Sequence, residues 1–146
     1  MGGWRGGAGM KALSVRQPWA FSILFGGKEI ENRNWSTRYR GPLALHAAKG
    51  MTNDEFDAWQ LFLSVQGLRG DWLTSKTMAD LQRGGVVGMV DLVDCVNAHP
   101  SRWFQGPYGF VLANPRPVAF IPCAGKLGFF DLPAHVAQLV ELDLTM

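Results

Sequence analysis

The sequence predicts an α+β fold, a small mixed β-barrel with peripheral helices. Three observations point there. The chain has 146 residues and is 47% apolar, which suits one compact domain with a sizeable core. Its apolar segments are mostly short strand-like runs bounded by glycine, proline or asparagine. The helical patterns enter early and do not alternate with strands as βαβ units do.

The opening residues 1–9 are glycine-rich and carry one arginine, which reads as a flexible leader without the apolar stretch of a signal peptide. One domain is expected over residues 10–146. Lys11 to Val15 reads as a strand. Gln17-Pro18-Trp19 opens a short helix with proline at its first position, where no N–H is needed, and Ile23 and Leu24 face the core. Gly26-Gly27 ends it through a left-handed cap. Lys28 to Trp35 is then a turn running into a strand, on which Glu29, Glu31, Arg33 and Trp35 share one face by period-two alternation.

Tyr39 to Pro42 reads as a turn and Leu43 to Ala48 as an apolar strand in which His46 stands out; histidine there is more often a satisfied core residue than a catalyst. Thr52 and Glu55 have the spacing of a capping box, opening a helix to about Gln66 with Phe56, Trp59 and Leu63 on its buried side. A connector over 67–72 and a second short helix over Ser75–Arg83, ended by Gly84-Gly85, follow. Val86 to Val93 is apolar on both faces and so central to the sheet. Asp91 within it is either a partner of the basic segment or a hydrogen-bonded structural acid. Asn97 to Gly106 is a loop, Tyr108 to Ala113 a strand, Asn114 to Pro117 a turn, and Val118 to Ile121 and Leu127 to Leu132 two further strands. Pro133 starts a carboxy-terminal helix through Leu139.

Composition narrows the function. No apolar run approaches the roughly 20 residues that span a bilayer, so no membrane partner is expected. Cys95 and Cys123 lack CxxC spacing and read as buried reduced thiols in a cytoplasmic protein. His46, His99 and His135 form no metal motif, so no cofactor is expected, leaving room only for a divalent metal recruited with substrate. Residues 1–50 carry 8 basic against 2 acidic side chains, net +6, whereas residues 51–146 are net −4. A basic face on a mildly acidic remainder suits an anionic partner such as nucleic acid, or is an ordinary solvated face. Whether it has protein partners is left open by the sequence.

The order of three blocks carries a resemblance: Leu13-Ser14-Val15-Arg16-Gln17-Pro18-Trp19-Ala20, then Gly27-Lys28-x-x-Glu31-x-Arg33, then Tyr39-Arg40-Gly41-Pro42-Leu43-Ala44-Leu45-His46-Ala47. With Val87 to Cys95, Asn114-Pro115 and Gly125 to Leu132, they resemble the ASCH domain family of PUA-like β-barrels across residues 10–135. The resemblance implies a cleft that engages RNA or other nucleic acid. Lys28 and Glu31 would be its catalytic pair, and Arg16, Gln17, Trp19, Arg33, Trp35, Tyr39, Arg40, His46 and Lys49 would bind substrate. Some relatives are similar to ribonucleases on single strands, some hydrolyse acetylated cytidine, and cointegrator members bind DNA. The acetylcytidine hydrolases have a threonine where this chain has Glu31, so the hydroxyl nucleophile of that route is missing.

The expected function is therefore engagement of single-stranded RNA in a basic cleft, with ribonuclease-like cleavage; the alternatives are an amidohydrolase of acylated cytidine and a non-catalytic DNA- or RNA-binding module. For cleavage Glu31 would be the general base, Lys28 and Arg33 would stabilise developing charge, and His46 or Asp91 would complete the site.

Overall fold

The computed structural model describes residues 9–68 and 76–146. Nearly all of the expected leader lies outside the described residues, as do parts of the connector and the start of the helix expected at Ser75. Among the described residues six strands and three helices follow in the order β1 (Lys11–Val15), α1 (Trp19–Phe25), β2 (Ile30–Arg33), β3 (Gly41–Ala47), α2 (Asn53–Val65), β4 (Gly85–Val96), β5 (Tyr108–Pro122), β6 (Phe129–Asp131) and α3 (Ala134–Leu144). The strands form one curled sheet, a half-barrel ordered β2-β5-β4-β3-β1-β6. β1 runs parallel to β3, and every other pair is antiparallel.

Alternation along the strands builds the core. Leu13 and Val15 of β1 join Leu43, Leu45 and Ala47 of β3 beneath α1, while Ala12 and Ala44, one residue out of phase, pack with Val136, Ala137 and Val140 of α3. A third cluster seats α2 through Trp59 and Leu63 against Ile30 of β2 and Trp103. Trp59 is fully buried and its indole N–H donates to Ser22 Oγ at 2.7 Å, which satisfies its one polar atom. The Thr52–Glu55 capping box forms as its spacing predicts.

The half-barrel's open side is closed by side chains. β2 and β1 are not neighbours in the sheet, yet Arg33 reaches from β2 to the Ser14 carbonyl of β1 at 2.9 Å. Trp35, just past β2, packs edge-on against Phe110 of β5 at 5.1 Å and Phe129 of β6 at 5.2 Å.

Several expectations are corrected. Asn114 to Pro117 is not a turn: β5 passes straight through it. Met89 pairs Arg116 and Asp91 pairs Ala113, so two residues of β5 face one of β4, and Asn114 takes φ 55°. This β-bulge absorbs the residues that favour turns and accommodates the missing proline N–H groups. The helix expected over Ser75–Arg83 is, in its described part, a single 3₁₀ turn, Met78–Asp80; Asp80 caps it by bonding back to Thr77, and Leu81 already turns extended and buried. Pro18 sits one position before α1 rather than within it. β2 stops at Arg33, so Trp35 lies beyond the strand and Glu29 before it, where Glu29 accepts from the Ser101 hydroxyl. β6 starts at Phe129 because Gly128 takes φ 65°. α3 continues past Leu139 to Leu144. Cys95 and Cys123 are free thiols but half-buried. Asp91 is the structural acid: it pairs with Arg116 at 3.2 Å and accepts from Asn114 at 3.3 Å, bracing the bulge. Among the described residues no helix is long and apolar enough to cross a membrane.

Candidate nucleic-acid interface

The double glycine aims Lys28. Gly26 N–H closes α1 on the Ser22 carbonyl at 2.9 Å, Gly27 reverses the chain with φ 75°, and Lys28 N–H returns to the same Ser22 carbonyl at 3.1 Å. The lysine side chain is 5% exposed. Its ammonium donates to the Ile30 carbonyl and to Glu31 Oε1 at 3.1 Å. The other oxygen of Glu31 accepts from Arg33 at 2.9 Å, and the same Arg33 nitrogen holds the Ser14 carbonyl. One buried carboxylate thus joins two cations. Desolvation makes an unpaired member costly, and Glu31 is the member whose loss leaves both cations without a counter-charge.

This network separates two recesses. The larger, about 960 Å³, lies where the ends of β1 and β3 meet the loop between β5 and β6. Arg16, Arg33, Lys49, Arg83 and Lys126 line it, and no carboxylate is among its described lining residues. Arg16 is compensated by a two-pronged pair with Glu55, 2.6 Å on each prong, and Arg33 by Glu31. Lys49, Arg83 and Lys126 are exposed and form no ion pair with a described residue. The smaller recess, about 220 Å³, is walled by Trp19, Phe62 and Trp103, with Lys28, Glu31, Asn32 and Gln105 supplying polar groups.

The residues expected at the site divide accordingly. Arg16, Arg33, His46 and Lys49 line the large recess; Trp19, Lys28 and Glu31 line the small one. Gln17 is buried elsewhere, accepting from Phe21 N–H and donating to the Gln82 carbonyl, which ties α1 to the segment before β4. Trp35 is part of the closing aromatic cluster. Tyr39 packs on Phe129 at 5.6 Å and donates to the Pro42 carbonyl at 2.5 Å; burial, then the charge of Asp91, pushes its phenol up from its ordinary value. Arg40 binds the Thr37 and Tyr39 carbonyls and Asp94. Trp35, Tyr39 and Arg40 line neither recess. Asp91 is bound up in the β4–β5 bulge.

Sequence reasoning missed Ser14, Arg83 and Lys126. Arg83 and Lys126 sit just outside the paired ends Gly85 and Pro122, so pairing of β4 with β5 brings them together. Cys123 also lines the large recess; burial pushes its thiol up from the ordinary value. Among the described residues no group of three or more His, Cys, Asp or Glu side chains is placed to hold a metal ion.

The Arg16–Glu55 pair makes a pH prediction. Hydrogen bonding from Arg16, then from the Thr52 backbone against some opposing desolvation, holds the Glu55 carboxyl down at about 2 from its usual 4.5. A depressed carboxyl contributes stability that is complete above about pH 5 and is lost as pH falls towards 2. The pair is partly exposed, so the loss is about 1 kcal/mol at most. Acid titration of the melting temperature should show a shallower decline between these values in Glu55→Gln than in wild type; parallel curves would contradict the assignment.

Residues 13–122 match the sequence model of the ASCH domain. The chain is 29% identical over 146 residues to activating signal cointegrator 1 of Homo sapiens, and equally to that of Mus musculus; the match covers 94% of this chain and 23% of each of those proteins. The chain thus spans about a quarter of the length of the curated relatives it matches. Among solved structures, ASCH from Zymomonas mobilis superposes with a TM-score of 0.51 at 13% identity, covering 91% of this chain and 94% of that one. That is a likeness of fold.

Proposed function

Because this chain belongs to the ASCH domain family, a PUA-like family generally linked to RNA binding, we propose that it binds single-stranded RNA with the phosphate backbone in the large recess. The observation that carries this reading is the set of three exposed cations, Lys49, Arg83 and Lys126, that form no ion pair with a described residue and surround a recess with no carboxylate in its described lining. Cations without partners raise the local concentration of polyanions and are neutralised by successive phosphates. Arg33 adds a fixed guanidinium. Its Nε is buried with no hydrogen-bond partner among the described residues, a cost of about 1–3 kcal/mol of the kind that structures keep at functional sites.

The small recess favours a single strand over a duplex. Its volume of about 220 Å³ and aromatic walls suit one flat heterocycle, and a base can enter only when it is unpaired and splayed from its neighbours. Glu31 supports binding over cleavage. Both of its oxygens are engaged by cations, an arrangement that orients Arg33 and leaves no carboxylate oxygen free of a cation to take a proton.

The test is a fluorescence-anisotropy titration with a labelled uridine oligoribonucleotide and a duplex of equal length. One stacked base is worth about 1–3 kcal/mol, so the single strand should bind at least about tenfold more tightly. Equal affinity for the two, or no binding at low salt, would contradict the reading.

A further inference from the structure

We propose that Ser14 and His46 form a nucleophile–base pair in the large recess, and that the pair hydrolyses carboxylic esters of phosphate-bearing molecules. Ser14 and His46 are register partners on the parallel strands β1 and β3, and Ser14 Oγ lies 3.0 Å from His46 Nδ1. His46 Nε2 lies 2.7 Å from the Cys123 carbonyl oxygen. A carbonyl can only accept, so Nε2 carries the ring proton. In the neutral ring Nδ1 is then the bare acceptor, and the Ser14 hydroxyl donates to it. Nucleophile, base and a third group orienting the base are thereby in line.

The surroundings fix this arrangement. His46 is 2% exposed and is held edge-on by Phe130 at 5.8 Å, whereas Ser14 is half-buried and lines the recess. Gly125 closes over the pair. A Cβ there would stand 2.7 Å from His46 Cε1, closer than side-chain carbons come, and a tight 3.1 Å from Ser14 Oγ, so glycine is favoured by contact rather than by backbone conformation.

In the reaction Ser14 Oγ attacks the ester carbonyl carbon and its proton passes to His46 Nδ1. The bond to the alcohol oxygen breaks, and that oxygen takes the proton as the alcohol leaves. Water then attacks the acyl carbon, giving a proton to Nδ1; the Ser14 oxygen departs and recovers it. The sum is ester plus water to acid plus alcohol. During each half His46 carries an extra positive charge in a recess already lined by cations, and a phosphate on the substrate supplies the opposing charge. The nucleophile assignment stands on the geometry of the pair, while the anionic character of the substrate rests on the reading of the recess as a polyanion site.

Diisopropyl fluorophosphate tests both. Attack forms an Oγ–P bond, expels fluoride and delivers the hydroxyl proton to His46. Peptide mass mapping of the wild-type chain should place one diisopropylphosphoryl group on Ser14. Ser14→Ala should lose it in a chain that stays folded, its melting temperature lower by only a few degrees for the unpaired His46 Nδ1, and His46→Asn should slow labelling about 100-fold, the usual scale of a general base. No adduct on Ser14 in the folded wild type overturns the nucleophile. Slower labelling in the presence of a single-stranded oligoribonucleotide supports the anionic substrate class; labelling of Ser14 at an undiminished rate under saturating oligonucleotide overturns that class and the recess reading, with the nucleophile intact.

Discussion

The double substitution Arg83→Glu with Lys126→Glu should weaken binding of a single-stranded oligoribonucleotide by about 100-fold at low salt. Both side chains are exposed at the recess and form no ion pair with a described residue, so neither holds the fold together. A hydrogen bond to a charged group contributes about 1.5–3 kcal/mol, and losing two, offset in part by remaining contacts, corresponds to roughly two decades of affinity. Reversal also repels phosphate. The same pair should flatten the salt dependence. With three phosphates neutralised, wild type should lose roughly 20-fold between about 50 and 200 mM salt, and the variant far less. Unchanged affinity and slope, measured by anisotropy on a chain with wild-type melting, would sink the assignment of the recess.

Glu31→Ala should lower stability by about 3–5 kcal/mol, because it leaves the buried Lys28 ammonium and the Arg33 guanidinium facing each other without a counter-charge. For a chain of 146 residues that corresponds to a melting temperature lower by about 10 °C. Lys28→Met should cost less, since Glu31 keeps its 2.9 Å partner Arg33 and a methionine fills the same space. The ordering matters as much as the size. A carboxylate held for catalysis alone would be removable with little loss of stability, so thermal scans showing Glu31→Ala within 2 °C of wild type would contradict its role as the clamp.

The parts of this molecule that could be read in the sequence are those set by near neighbours. Gly26-Gly27 and the Lys28, Glu31, Arg33 spacing lie within eight residues, and short-range geometry alone brings those groups into contact. The Thr52–Glu55 cap is equally local. The strand positions of β1, β3 and the apolar half of β4 followed from short apolar runs bounded by turn residues. What failed depended on distant partners. Asn114 to Pro117 has the composition of a turn, and only pairing with β4 converts it to a bulge. Arg83 and Lys126 stand 43 positions apart and meet because the ends of β4 and β5 pair. Ser14 and His46 come together through parallel pairing of β1 and β3, which no local pattern announces. Trp35, Tyr39 and Arg40 carry side chains that suit nucleic acid, yet Trp35 and Tyr39 pack on Phe129 and Arg40 is tied to backbone carbonyls and Asp94. Residue type suggested contact with a ligand, and packing determined otherwise.

The central claim concerns where RNA lies, and photo-crosslinking locates it most directly. A single-stranded oligoribonucleotide carrying 4-thiouridine, irradiated in complex with the wild-type chain and mapped by mass spectrometry, should crosslink to the loop 123–128, the segment 14–19 and the neighbourhood of Arg83. Crosslinks confined to α3 or to the outer side of α2, with none on the loop 123–128, would contradict the account.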